Sequence, residues 1–103
     1  MGYVYLLHFS RPICPGHPCR HYLGYTSRTL SQRLAEHRSG RGARLVEVAT
    51  ERGIDFVVAR TWKGNRHLER TLKNRKNAPK LCPLCDSRLD RKLLPKETRG
   101  WMQ

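Results

Sequence analysis

The sequence predicts one small α+β domain: a mainly antiparallel three-stranded sheet flanked by helices, in the order β-β-α-α-β-α. Three observations lead there. The chain has 103 residues, enough for one compact core and too few for two. Two runs, residues 3–9 and 54–62, are rich in aromatic and β-branched side chains and read as strands. Other stretches carry leucines at helical spacing between capping residues and glycines, and strands mixed with helices in this order belong to the α+β class.

Residues 3–9 alternate Tyr3, Tyr5, Leu7 and Phe9 against Val4, Leu6 and His8, as expected of a strand covered on both faces. Residues 10–20 hold three prolines, a glycine and two cysteines and form a loop. A short extended segment resumes at residues 21–25, so the two strands make a hairpin with an elaborated connection. Thr26 or Ser27 caps a helix over residues 29–38, where Leu30 and Leu34 share a face, and Ser39-Gly40 ends it. A second helix over residues 43–52 gathers Leu45, Val48 and Ala49 and stops at Gly53. After the strand at 54–62, Asn65 caps a third helix with Leu68 and Leu72 on one side. It runs to Lys76 or Asn77, with Pro79 limiting further extension. Residues 1–80 are thus read as the domain proper. Residues 81–103, a Cys-x2-Cys segment and a basic tail with Leu89, Leu93 and Leu94, are read as packing on it.

Charge narrows the partners. The chain carries 21 Lys and Arg against 8 Asp and Glu, a formal +13. Such a field concentrates polyanions, and the phosphate backbone of nucleic acid is the commonest of these for a small basic domain. No apolar run approaches the ~20 residues needed to span a bilayer. The opening residues lack a basic start and a cleavage site, so a cytoplasmic protein without membrane attachment is expected. In that reducing setting, metal ligation competes with disulfide formation for the four cysteines.

Four pieces of the chain together resemble the GIY-YIG nuclease superfamily, in its small stand-alone form. They are Gly2-Tyr3-Val4-Tyr5-Leu6-Leu7, His21-Tyr22-Leu23-Gly24-Tyr25-Thr26, a helix bearing Arg33 and His37, and a later helix bearing Glu69. The order and spacing of the pieces make the match specific. The first motif has Tyr3 at the position of the family's glycine and the second has Leu23 for isoleucine. The resemblance implies a metal-dependent endonuclease that hydrolyses nucleic acid, DNA in the first place, leaving 5′-phosphate and 3′-hydroxyl ends. It implies catalytic roles for Tyr5, Tyr22, Arg33, His37 and Glu69.

Those residue types suit the reaction. Hydrolysis of a phosphodiester needs a base for the water, positive charge at the phosphorus-bound oxygens and help for the departing oxygen. A phenol of Tyr5 or Tyr22, on neighbouring strands, serves as base once cations lower its pKa. Without the motif each would read as an ordinary strand aromatic. Arg33 and His37, four apart, address one spot, Arg33 gripping the phosphate and His37 assisting binding or proton transfer. Glu69 offers the hard oxygen that Mg²⁺ or Mn²⁺ requires, and the plainer reading is an ion pair with Lys73. Arg41, Arg44, Lys63, Arg66, Arg70 and Lys73 are candidates for backbone contact, which positions rather than specifies. A protein partner or a dimer remains open as the targeting device.

Cys14 and Cys19, with Cys82 and Cys85, form two pairs, and Cys82-Pro83-Leu84-Cys85 has the tight turn of a zinc knuckle. The expectation is a structural Zn²⁺ on all four thiolates, with His17 or His21 able to replace either early cysteine. A non-catalytic, zinc-stabilised nucleic-acid-binding module is therefore the alternative function.

Overall fold

The computed structural model describes residues 2–12, 20–40, 42–75, 78–85, 88–89 and 93–95. Cys14, His17, Cys19, Arg41, Lys76 and Asn77 lie outside the described residues. The elements are β1 (Gly2–Phe9), β2 (His21–Thr26), α1 (Leu30–Arg38), α2 (Arg44–Glu51), β3 (Phe56–Gly64), α3 (Arg66–Asn74) and the single turn α4 (Ala78–Leu81). The three strands form one sheet in the order β2-β1-β3, antiparallel throughout, in agreement with the expected class and strand number.

Register decides which side chains share a face. Tyr5 pairs with Gly24 and Leu7 with Tyr22 across β1–β2, and Tyr5 pairs with Thr61 across β1–β3. A bulge between Leu6 and Leu7 shifts the β3 register so that Leu7 meets Val58 and Phe9 meets Phe56. The odd-numbered β1 residues Tyr5, Leu7 and Phe9 therefore build one core with Val46, Ala49, Ile54, Phe56 and Val58, against which Leu30 and Leu34 of α1 pack. The even-numbered Val4 and Leu6 build a second core with Leu23, Ala59, Leu72, Cys82 and Leu94. The covered strand predicted for residues 3–9 is thus the middle of the sheet. Cys82 and Leu94 fill that second core, while Leu93 is exposed.

Helix ends follow local chemistry. Asn65 accepts from the Leu68 amide at 3.2 Å and starts α3 as the sequence suggests. The cap of α1 is Thr29, whose hydroxyl accepts from Gln32 at 3.3 Å, rather than Thr26 or Ser27. Thr26 instead closes a turn by accepting from the Arg28 amide at 3.1 Å, because it is still the last residue of β2. Gly40 and Gly53 take φ of 80° and 70°, which explains why α1 and α2 stop where they do. Among the described residues no helix is long and apolar enough to cross a membrane.

Candidate active site and metal centre

Tyr5 stands at the middle of the first face with no solvent exposure, and its phenol is a junction. Arg33 Nε donates to its oxygen at 3.2 Å, and His37 Nε2 lies 2.7 Å from the same oxygen. The two partners come from one helix face because they are a single turn apart on α1. Tyr22 completes the cluster, its ring 6.3 Å from that of Tyr5 and 5.8 Å from His37. Gly24 permits this arrangement: a Cβ there would fall 2.5 Å from the Tyr5 hydroxyl and 2.7 Å from the Tyr22 ring.

Burial fixes the protonation pattern. It pushes His37 down to about 4, with Arg33 adding to the fall, so the imidazole is neutral near pH 7. Arg33 already donates to the Tyr5 oxygen. One short hydrogen bond joins the Tyr5 hydroxyl to His37 Nε2, its direction set by the imidazole tautomer. His37 Nδ1 is buried and has no hydrogen-bond partner among the described residues. Burial also raises both phenols, Arg33 lowers them, and Glu69 raises them further. Neither phenol is ionised in the resting site.

Arg33 is held from two sides. Besides the Tyr5 contact, its Nη1 reaches Glu36 at 3.2 Å, and Glu36 is shared with Arg28. Across the cluster, α3 turns Leu68 and Leu72 to the second core and brings its polar edge to Tyr22. Lys73 Nζ lies 5.6 Å from the Tyr22 ring centre and 3.5 Å from the Glu69 carboxylate. Glu69 is thus in the ion pair that the sequence offered as its plainer reading. The five residues named for catalysis come from β1, β2, α1 and α3. Arg44, Lys63, Arg66, Arg70 and Lys73 are exposed, Arg44 being paired with Glu47 at 3.3 Å. Lys63 lines a cleft of about 540 Å³ together with Tyr3, Tyr25 and Asn65.

The opposite face carries a second cluster. His8 and His21 are register partners at the loop end of the hairpin, and the Cys82–Cys85 turn, closed by the Cys85 amide on the Cys82 carbonyl at 3.0 Å, brings two thiols to them. The four ligand atoms lie within 4.8 Å of one another, so the protein has a possible metal site of two His and two Cys. Burial lowers His8, and it lowers His21 to about 4 with help from the His8 and Arg20 charges. Burial pushes the Cys82 thiol up to about 11 against the pull of the Leu84 amide. A bound dication reverses that last shift, because a coordinating thiol is deprotonated outright.

Of the expected four thiolates, Cys82 and Cys85 are in this quartet and Cys14 and Cys19 lie outside the described residues, while two histidines stand with the thiols. His21 was an expected substitute, whereas His8 was missed because the sequence places it only on the second face of a strand. The available signal was the pair of histidines flanking a Cys-bearing loop, which a hairpin brings opposite each other. No protein-family model matches the chain, nor does any curated protein or solved structure.

Proposed function

We propose that the chain is a metal-dependent endonuclease of the GIY-YIG type, which hydrolyses phosphodiester bonds of nucleic acid, with DNA as the expected substrate. The observation that carries this reading is the convergence of Tyr5, Tyr22, Arg33 and His37 around one phenol, with Glu69 and Lys73 at its rim. A binding module has no need of a buried Tyr-His-Arg junction.

Tyr22 is the better candidate for the base. It is only partly buried, whereas Tyr5 is sealed from solvent and acts by holding Arg33 and His37 in place. In the proposed step Tyr22 first gives up its phenol proton to solvent, then as phenolate takes a proton from the attacking water, and the water oxygen bonds to phosphorus. The bond from phosphorus to the 3′-oxygen breaks, and that oxygen leaves with a proton from solvent. Arg33, anchored through Nε on Tyr5 and Nη1 on Glu36 and close enough to Tyr22 to lower its phenol, offers its guanidinium charge to the phosphate.

Glu69 does not belong to a preformed cage, since the quartet on the other face is the one group of three or more converging His, Cys, Asp or Glu among the described residues. A single carboxylate fits Mg²⁺ or Mn²⁺, which keeps several waters and shares substrate phosphate oxygens. Bound there, such an ion would supply positive charge to the phosphate and the departing oxygen. It would also offset the Glu69 charge that now raises both phenols. Lys63, Arg66 and Arg70 supply cations for the backbone, and the Tyr3–Lys63 cleft offers an aromatic wall beside one of them. The cytoplasm is the proposed location.

The test is incubation of supercoiled plasmid with wild type, Arg33→Ala and Glu69→Ala, each with Mg²⁺ or Mn²⁺ and with EDTA. Cleavage by wild type alone, abolished by EDTA, is expected. Equal behaviour of the three proteins on every substrate would sink the reading. The second reading, a zinc-stabilised nucleic-acid-binding module, is favoured by the His/Cys quartet and the +13 charge. Salt-sensitive binding without cleavage is the result that would select it.

A further inference from the structure

The quartet on the second face takes no part in the chemistry proposed above. We propose that His8 Nδ1, His21 Nε2 and the thiolates of Cys82 and Cys85 hold one Zn²⁺ as a closed structural centre, and that this ion ties the segment after α3 to the loop end of the β1–β2 hairpin.

Four of the six distances among the ligand atoms match the edges of a coordination tetrahedron, and all six are within 4.8 Å. The two imidazole nitrogens are 3.2 Å apart. His8 Nδ1 lies 3.6 Å from each sulfur, and His21 Nε2 lies 3.4 Å from Cys85 Sγ. Tetrahedral Zn²⁺, with bonds of about 2.0–2.1 Å to nitrogen and about 2.3 Å to sulfur, sets nitrogens about 3.3 Å apart and nitrogen about 3.6 Å from sulfur. Hydrogen bonding alone gives no such pattern. A ring nitrogen offers one proton or one lone pair in the ring plane, yet His8 Nδ1 faces three heteroatoms at these distances.

The ligand chemistry chooses the ion and its role. Thiolates with imidazoles suit Zn²⁺ and disfavour Mg²⁺ or Mn²⁺, which prefer oxygen. Four protein ligands leave no position for water or substrate, the mark of a structural rather than catalytic zinc. Cys82 is buried in the second core and Cys85 is exposed, so the ion sits at the rim of that core. Its mechanical effect follows from chain order. β3, paired with β1, holds one end of α3, and the centre holds the chain beyond the other end, after α4. The ion thereby restrains the chain on the far side of the helix that carries Glu69 and Lys73; only this last consequence rests on the nuclease reading.

The full chain, freed of loose metal by dialysis against EDTA, is expected to retain one zinc per molecule. Its zinc K-edge X-ray absorption should show two sulfur and two nitrogen neighbours, and Co²⁺ in place of zinc should give the intense visible bands of a tetrahedral site. Cys85→Ser should lose the zinc, and Cys14→Ser with Cys19→Ser should keep it. A shell of four sulfurs would bring Cys14 and Cys19 into the site and overturn the assignment. So would an oxygen-rich shell, or no retained zinc. The wild-type shell decides the matter even where a variant fails to fold. Plasmid cleavage is read separately: zinc with this shell and no cleavage refutes the nuclease reading alone, and cleavage by a zinc-free chain refutes the zinc centre alone.

Discussion

Acid should destabilise the fold through His37, by an amount that can be isolated. The residue is fully buried, and its pKa is held at about 4 against 6.5 in the unfolded chain. Because the folded value is the lower, the unfolded chain takes up the proton first. The stabilisation is whole above pH 6.5 and is lost as the pH falls towards 4. Linkage puts the loss between about pH 7.5 and about pH 5 at roughly 2 kcal/mol for this one group. With urea m-values of ~1–3 kcal/mol/M, the midpoint should fall by about 1 M over that interval. The His/Cys quartet adds its own pH dependence, so wild type must be compared with His37→Phe, which leaves those four residues in place. The variant loses stability at every pH because the Tyr5 hydroxyl loses its imidazole partner, but its pH dependence should be shallower by roughly the 2 kcal/mol calculated above. Urea titrations at both pH values, at one fixed zinc concentration, make the measurement. Parallel pH profiles for the two proteins would refute the buried neutral imidazole.

Three further outcomes follow from the same geometry. Gly24→Ala would place a methyl group 2.5 Å from the Tyr5 hydroxyl, so it should cost about 1–3 kcal/mol in thermal or urea unfolding and lower any cleavage rate at least about tenfold. Arg33→Lys keeps the charge and loses the fork that engages Tyr5 and Glu36 together; a cleavage rate within a factor of about two of wild type would contradict the anchoring role. Asn65→Ala removes the cap of α3 and should cost about 1 kcal/mol by urea denaturation, with little change in zinc content.

Much of the scaffold was legible because its signals are local. The alternation in residues 3–9 marked the central strand, Asn65 announced α3, and glycines at 40 and 53 ended two helices. Competing local signals misled at α1, where Thr26, Ser27 and Thr29 are all capping types and only the length of β2 selects Thr29. Arg33 and His37 could be paired from helical spacing alone. Their meeting with Tyr5 could not be read in this way, since it depends on how α1 lies across the sheet.

By itself the sequence determined the element types, the strong positive charge and the two thiols of a tight Cys-x2-Cys turn, and it nominated the residues proposed for phosphodiester chemistry. Tertiary structure decided which of them meet. The β1–β2 register set Gly24 over Tyr5, opening space for the phenol junction, and paired His8 with His21 on the other face. Side chains 74 residues apart, His8 and Cys82, then came within 3.6 Å. Strand register and the return of a chain end across a sheet are long-range events, fixed by burial of two cores at once, and no local pattern encodes them.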